Sequence, residues 1–185
     1  LPMEEVTPSI RNNAKAVNFG IVYGISDYGL SQDLNITRKE AKDFIDKYLD
    51  NYTGVRQFME DIVVEGKEKG YVETLLHRRR YIPELKSKNF NVRSFGERIA
   101  MNTPIQGSAA DIIKVAMVKV YKALREKGLK SRLILQVHDE LIIETHMDEL
   151  DEVKTILKEI MEGSISLSIP LRVDIEIGDS WYETH

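Results

Sequence analysis

Two short apolar runs, residues 132–137 and 140–145, are separated only by His138 and Asp139. So short a gap leaves one good solution: two strands folding back antiparallel through a two-residue turn. The rest of the chain is patterned mainly for helix. Pro8 to Val22 reads as a helix, with Pro in its first turn and Gly24 just past its end. Thr37 with Glu40 three residues later forms a capping box for a helix to about residue 49. Another helix is expected over residues 55–69, stopped by Gly70, and then a short strand or extended turn over 71–76. A helix over 94–101 should break at Pro104 and Gly107 before a long amphipathic helix over 109–127 that ends at Gly128. A helix over 148–161 and a final strand over 171–177 complete the expectation. A helical first part followed by a small antiparallel sheet with flanking helices makes this an α+β protein, with a boundary near Tyr81. There is no internal repeat.

The 185 residues, 42% hydrophobic and 30% charged, suffice for a real core. The absence of cysteine excludes a disulfide scaffold and a Cys-based zinc site, and fits a cytoplasmic location. No basic stretch leads into an apolar run near the start, and no apolar segment is long enough to span a bilayer, so no membrane partner is expected. A net charge of −4 argues against indiscriminate coating of DNA. That average hides an asymmetry. Residues 77–98 carry Arg78, Arg79, Arg80, Lys86, Lys88, Arg93 and Arg98 against Glu84 and Glu97, whereas from Asp139 onward acids outnumber Lys and Arg by 13 to 3. A basic belt and an acidic lobe suit a protein that holds polyanions in one place and divalent metal in another; solvated surface charge would give the same count.

Three constellations carry candidate chemistry. In the first helix Arg11, Lys15, Phe19 and Tyr23 follow one i, i+4 row, while Ala14, Val17 and Ile21 occupy another arc. Two cations one turn apart can clamp a triphosphate, and an aromatic one turn further can stack on a base. By spacing alone, an ordinary amphipathic helix with solvated cations remains open. At the hairpin, Gln136-Val137-His138-Asp139-Glu140 places carboxylates at a turn, where a hard cation such as Mg²⁺ finds oxygen ligands, although acidic turn residues are also common for their own sake. Successive strand residues face opposite ways, so Asp139 and Glu140 are not expected to be equivalent ligands. Thirdly, Arg98 and Asn102 share a face and Gln106, at the Pro-Gly break, can both donate and accept hydrogen bonds, as reading the degenerate minor groove requires; helix packing with polar groups capping the break explains them equally. Arg78-Arg79-Arg80-Tyr81 adds a basic patch of low specificity.

Taken together, Arg-x-x-x-Lys-x-x-x-Phe-Gly-x-x-Tyr-Gly from Arg11, Gln-Val-His-Asp-Glu from Gln136, and the Arg98 to Gln106 stretch resemble, in order, motif B, motif C and the template-primer element of family A DNA polymerases. The similarity runs from about Glu5 through Trp181. It implies a fingers portion over 1–80 and a palm portion over 81–185. It implies that Arg11, Lys15, Phe19 and Tyr23 bind the incoming deoxynucleoside triphosphate, with Lys15 catalytic as well. Asp139 and Glu140 would be catalytic metal-site residues for Mg²⁺, and Arg98, Asn102, Gln106 and His138 would contact primed template DNA. His77, where relatives commonly have Gly, and Asn12, where a second basic residue often stands, depart from the pattern. The family's first metal-binding Asp, in motif A, lies upstream of motif B and has no counterpart here, so the isolated chain is expected to be inactive without the remaining polymerase domains of the parent chain. A noncatalytic nucleic-acid-binding module and a related single-subunit RNA polymerase are the alternatives.

Overall fold

The computed structural model describes residues 2–184, without the side chains of Met3 and Ser9. It contains six α-helices and two small antiparallel sheets among the described residues, the α+β class expected. Two compact units divide it, one up to Gly107 and the other from Ser108. This is a division by compactness, whereas the expected fingers and palm portions are a functional one.

In the first unit, helix α1 spans Pro8–Val22, as expected. Thr7 caps it, its hydroxyl accepting from the Ile10 N–H at 3.2 Å, and Gly24 leaves it at φ +74°. Helix α2, Asp27–Leu34, is absent from the sequence expectation. Ser26 caps it by accepting from the Gly29 N–H, and Asn35 ends it in the left-handed region at φ 53°. Helix α3, Arg38–Asn51, opens on the expected capping box, Thr37 and Glu40 exchanging their hydrogen bonds. Helix α4, Thr53–Lys69, stops at Gly70. Strand β1, Tyr71–Glu73, then pairs with β2, Arg79–Tyr81, where Glu73 opposite Arg79 makes a 2.8 Å ion pair.

Helix α5 runs unbroken from Phe90 to Glu126. The expected break at Pro104 does not occur. The proline removes the hydrogen bond to the Ala100 carbonyl, but Ala100, Met101 and Thr103 before it, and Ile113 and Ala116 after it, are all buried, so packing holds the helical path that propensity alone would abandon. The core of the first unit consists of Ile62, Val72, Ile82, Leu85, Ala100 and Met101. Gly66 makes it compact: a Cβ there would lie 2.9 Å from Leu85 Cδ1 and 3.2 Å from Val72 Cγ1.

In the second unit, β3 (Arg132–Val137) and β4 (Glu140–Glu144) form the expected hairpin, with Val137 opposite Glu140 and an irregularity between Leu133 and Leu135. Helix α6, Leu150–Glu162, packs Val153 and Ile156 against Val120 and Leu124 of α5, with Leu133, Leu141 and Ile143 alongside. The expected strand over 171–177 is not formed. Residues 171–176 do alternate half-buried and exposed, but no neighbouring strand supplies a ladder among the described residues, and the Val173 N–H donates instead to the Glu162 carboxylate. No helix is long and apolar enough to cross a membrane among the described residues.

One carboxylate closes the open end of the hairpin. Glu149 accepts from the N–H groups of Lys130 and Ser131, each at 2.9 Å, and from the Ser131 hydroxyl at 2.6 Å, while Ser131 Oγ accepts from the His146 N–H at 3.0 Å. The Lys130 amide first, and then the Ser131 hydroxyl, pull the Glu149 carboxyl down from 4.5 to about 2. A carboxyl lowered in the folded state stabilises fully above its unfolded value and loses that contribution as pH falls through the folded one. Glu149→Gln is therefore expected to unfold at lower urea than the wild type at neutral pH, with the two midpoints converging as pH drops from 4.5 towards 2.

Candidate functional site

The helical row is built on α1. Arg11, Lys15, Phe19 and Tyr23 sit one turn apart, and all four are exposed, Phe19 by 54%. Among the described residues neither Arg11 nor Lys15 is engaged in an ion pair. Both charges therefore remain available to an anion. Phe19 and Tyr23 stack on each other, centroids 6.2 Å apart with the planes 24° from parallel, giving one continuous aromatic face beyond the two cations. A surface of this kind can receive a polyanion with a flat appendage. Of the opposite arc, Ile21 is buried, Val17 half-buried and Ala14 exposed, so the helix is seated by its C-terminal half.

Arg98, Asn102 and Gln106 fall one turn apart along α5, in the same unit as α1. The structure brings the two rows together at one point. Gly24, just beyond Tyr23, lies so close to α5 that a Cβ would sit 2.4 Å from Met101 Cε and 3.3 Å from Arg98 Cγ. Arg98 lies over the Phe95 ring at 5.9 Å and donates to Ser94 Oγ at 3.4 Å, contacts that lay its guanidinium along α5. Asn102 Oδ1 is buried without a hydrogen-bond partner among the described residues, an acceptor whose cost is left unrelieved there, and Gln106 is exposed. The basic belt nearby is less free than its composition suggested. Arg79 is paired with Glu73 and covers the Tyr71 ring at 4.7 Å, Arg80 donates to Thr103 Oγ1 at 3.5 Å, and Arg93 to the Ser87 carbonyl at 3.1 Å.

The hairpin turn belongs to the second unit. His138 adopts φ 50° and Asp139 does not share the positive sign, the combination expected of a type II′ turn, in which glycine is the usual first residue. The Gln136 side-chain amide donates to the His138 carbonyl at 2.7 Å and stiffens this unfavourable conformation. Asp139 is exposed at the tip, and Glu140, first residue of β4, is half-buried. Asp139 and Glu140 make a partial donor set, since among the described residues no three His, Cys, Asp or Glu side chains are grouped so as to hold a metal ion. Mg²⁺ fits such a set only where phosphate oxygens and water complete its octahedron.

The sequence reading missed two positioning contacts. Tyr48 on α3 donates to Asn18 Oδ1 on α1 at 2.5 Å, and Glu149 ties the hairpin as described. Neither has a sequence signal, because each joins residues separated by many positions without a motif between them.

The family model described as DNA polymerase family A matches residues 1–183. DNA polymerase I of Bacillus subtilis (strain 168) is 63% identical over 180 residues, which cover 97% of this chain and 20% of that protein. DNA polymerase I of Geobacillus stearothermophilus is 60% identical with the same coverage. A solved structure, the POL domain of Pol1 from M. smegmatis in complex with DNA primer-template and dNTP, superposes with a TM-score of 0.95 at 47% identity, covering 100% of this chain and 32% of that one. The chain thus spans 20% of the length of these curated relatives.

The closeness of Gly24 to α5 gives a direct test. Gly24→Ala places a side chain at φ +74° against Met101, and is expected to cost roughly 1–2 kcal/mol, read as a lower urea midpoint.

Proposed function

Since the chain belongs to DNA polymerase family A, we propose that it is the fingers and palm part of a DNA-directed DNA polymerase, with a fingers portion over 1–80 and a palm portion over 81–185. The observation that carries the reading is the uncovered Arg11, Lys15, Phe19 and Tyr23 row on α1, in a chain similar throughout to a polymerase domain whose structure was solved with primer-template and dNTP. Arg11 offers a planar fork and Lys15 a point charge to the triphosphate of a deoxynucleotide, and Phe19 offers a ring face to its base or sugar. Tyr23 lies at the end of that face, beside the templating position. Arg98, Asn102 and Gln106 take the template-primer, as does His138.

In the reaction, the primer 3′-hydroxyl oxygen bonds to the α-phosphorus while the bond from that phosphorus to the leaving pyrophosphate breaks. Asp139 is the residue that would hold Mg²⁺, supported by Glu140. The ion, when bound, supplies charge neutralisation at the phosphates and lowers the pKa of a coordinated hydroxyl. Lys15 and Arg11 keep the triphosphate in line and offset the charge that develops as pyrophosphate departs, so catalysis here is mainly positioning and electrostatics.

Primer extension by the complete parent protein tests the proposal. Wild type is expected to extend a primed DNA template with deoxynucleotides, and Asp139→Ala to lose at least ~10³-fold in rate, the size of several kcal/mol of lost transition-state stabilisation. The isolated 185 residues, run beside them, are expected to extend little or nothing, because they offer only a partial metal site. Equal extension by Asp139→Ala would remove the hairpin from the catalytic site, and a strong preference for ribonucleotides would select an RNA polymerase.

A further inference from the structure

Helix α1 is seated unevenly. Among its described side chains only Ile21 is buried, with Ala16, Val17, Gly20 and Val22 half-buried around it, whereas every described residue from Pro8 to Lys15 is exposed. The half that carries Arg11 and Lys15 therefore projects from its seat with no core of its own. Apolar contact at Ile21 resists withdrawal of the helix but only weakly resists its rotation, because burial is non-directional. A hydrogen bond is directional, and one stands at the edge of the seat: the Tyr48 hydroxyl donates to Asn18 Oδ1 at 2.5 Å.

The place of Asn18 on the helix gives that bond its leverage. At 100° per residue Asn18 lies about 20° from the direction of Arg11 and about 60° from that of Lys15, and it immediately precedes Phe19. Holding Asn18 fixes the angle at which all three side chains leave the helix. Tyr48 is itself well placed to hold. Its ring is half-buried and packs on Tyr52, centroids 4.8 Å apart, and α3, which carries it, starts from a complete capping box.

We propose that Tyr48 is a positioning residue for the nucleotide face of α1, acting through Asn18 to set the azimuth at which Arg11, Lys15 and Phe19 meet the incoming deoxynucleotide. The inference rests on the polymerase reading above. The hydroxyl touches neither substrate nor metal in this role; it makes the approach of the cations reproducible, so that fewer orientations of α1 are lost when the nucleotide binds.

A double-mutant cycle in the complete parent polymerase tests it. Tyr48→Phe keeps the ring against Tyr52 and removes only the donor; Asn18→Ala removes the acceptor together with the rest of the carboxamide. Single-nucleotide incorporation is measured on a saturating primed template, with thermal unfolding and template affinity measured in parallel. Tyr48→Phe is expected to raise KM for the deoxynucleotide about three- to tenfold, the weight of one ordinary hydrogen bond, with template affinity unchanged. Asn18→Ala is expected to do the same, and the double variant to be no worse than either single one. Unchanged KM in Tyr48→Phe beside a normally active wild type would overturn the positioning role alone, as would single effects that multiply in the double variant. A KM rise that merely follows a matching loss of template affinity also overturns it. A wild-type parent that incorporates no deoxynucleotide overturns this inference together with the polymerase reading.

Discussion

The first unit is centred on one act of burial, the withdrawal of Ile62, Val72, Ile82, Leu85, Ala100 and Met101 from water around α4, the β1–β2 pair and α5. Val72 and Ile82, each 1% exposed, bring roughly 1.5–3 kcal/mol apiece relative to exposed side chains. The packing tolerates no spare volume, since at Gly66 even a methyl group would press on Leu85. The same cluster lies beside the stretch of α5 that leads into Pro104, where the helix continues unbroken, and Met101, one of its members, is the residue against which Gly24 stops the end of α1. Candidate DNA-binding and nucleotide-binding rows thus share a single foundation.

Charge is distributed with equal economy. Some surface cations are matched: Arg38 with Asp27 at 2.9 Å, Arg56 with Asp50 at 2.7 Å, Lys67 with Glu97 at 2.7 Å. Such exposed pairs add little to stability, but they leave no strong unbalanced field where they stand. On α1, Arg11 and Lys15 stay outside such pairs among the described residues. In the second unit the roles reverse: the carboxylate of Glu149 is fully engaged in holding the strand ends, while Asp139 is left exposed at the opposite tip. An engaged acid fixes the frame, and an open one is left for a cation.

What could be read from the sequence was local. The limits of α1, the Thr37–Glu40 box, the stop at Gly70 and the two-residue turn at His138-Asp139 all depend on residues within a few positions of one another, and all are found. The i, i+4 row of the candidate site was legible for the same reason. Errors arose where distant parts decided the outcome. Pro104 should break a helix, but buried neighbours carry the helix on; residues 171–177 have strand alternation but no strand to pair with among the described residues; α2, which contains Gly29, lies outside the expected helices despite its Ser26 cap. In the candidate site, Tyr48 lies thirty positions from Asn18, beyond any spacing rule. The functional roles of the site residues came from resemblance of pattern, since spacing alone left an ordinary amphipathic helix and an ordinary polar turn equally open.

The uneven seating of α1 has an evolutionary side. Substitutions at exposed positions usually change stability by no more than about 0.5 kcal/mol. Arg11, Lys15 and Phe19, which contribute to no core, can therefore be exchanged with little penalty to folding, whereas Ile21, two residues further on, cannot. Selection for a different ligand and selection against misfolding fall on different residues of one helix. A chain built this way can explore new chemistry on α1 while its scaffold stays where it is.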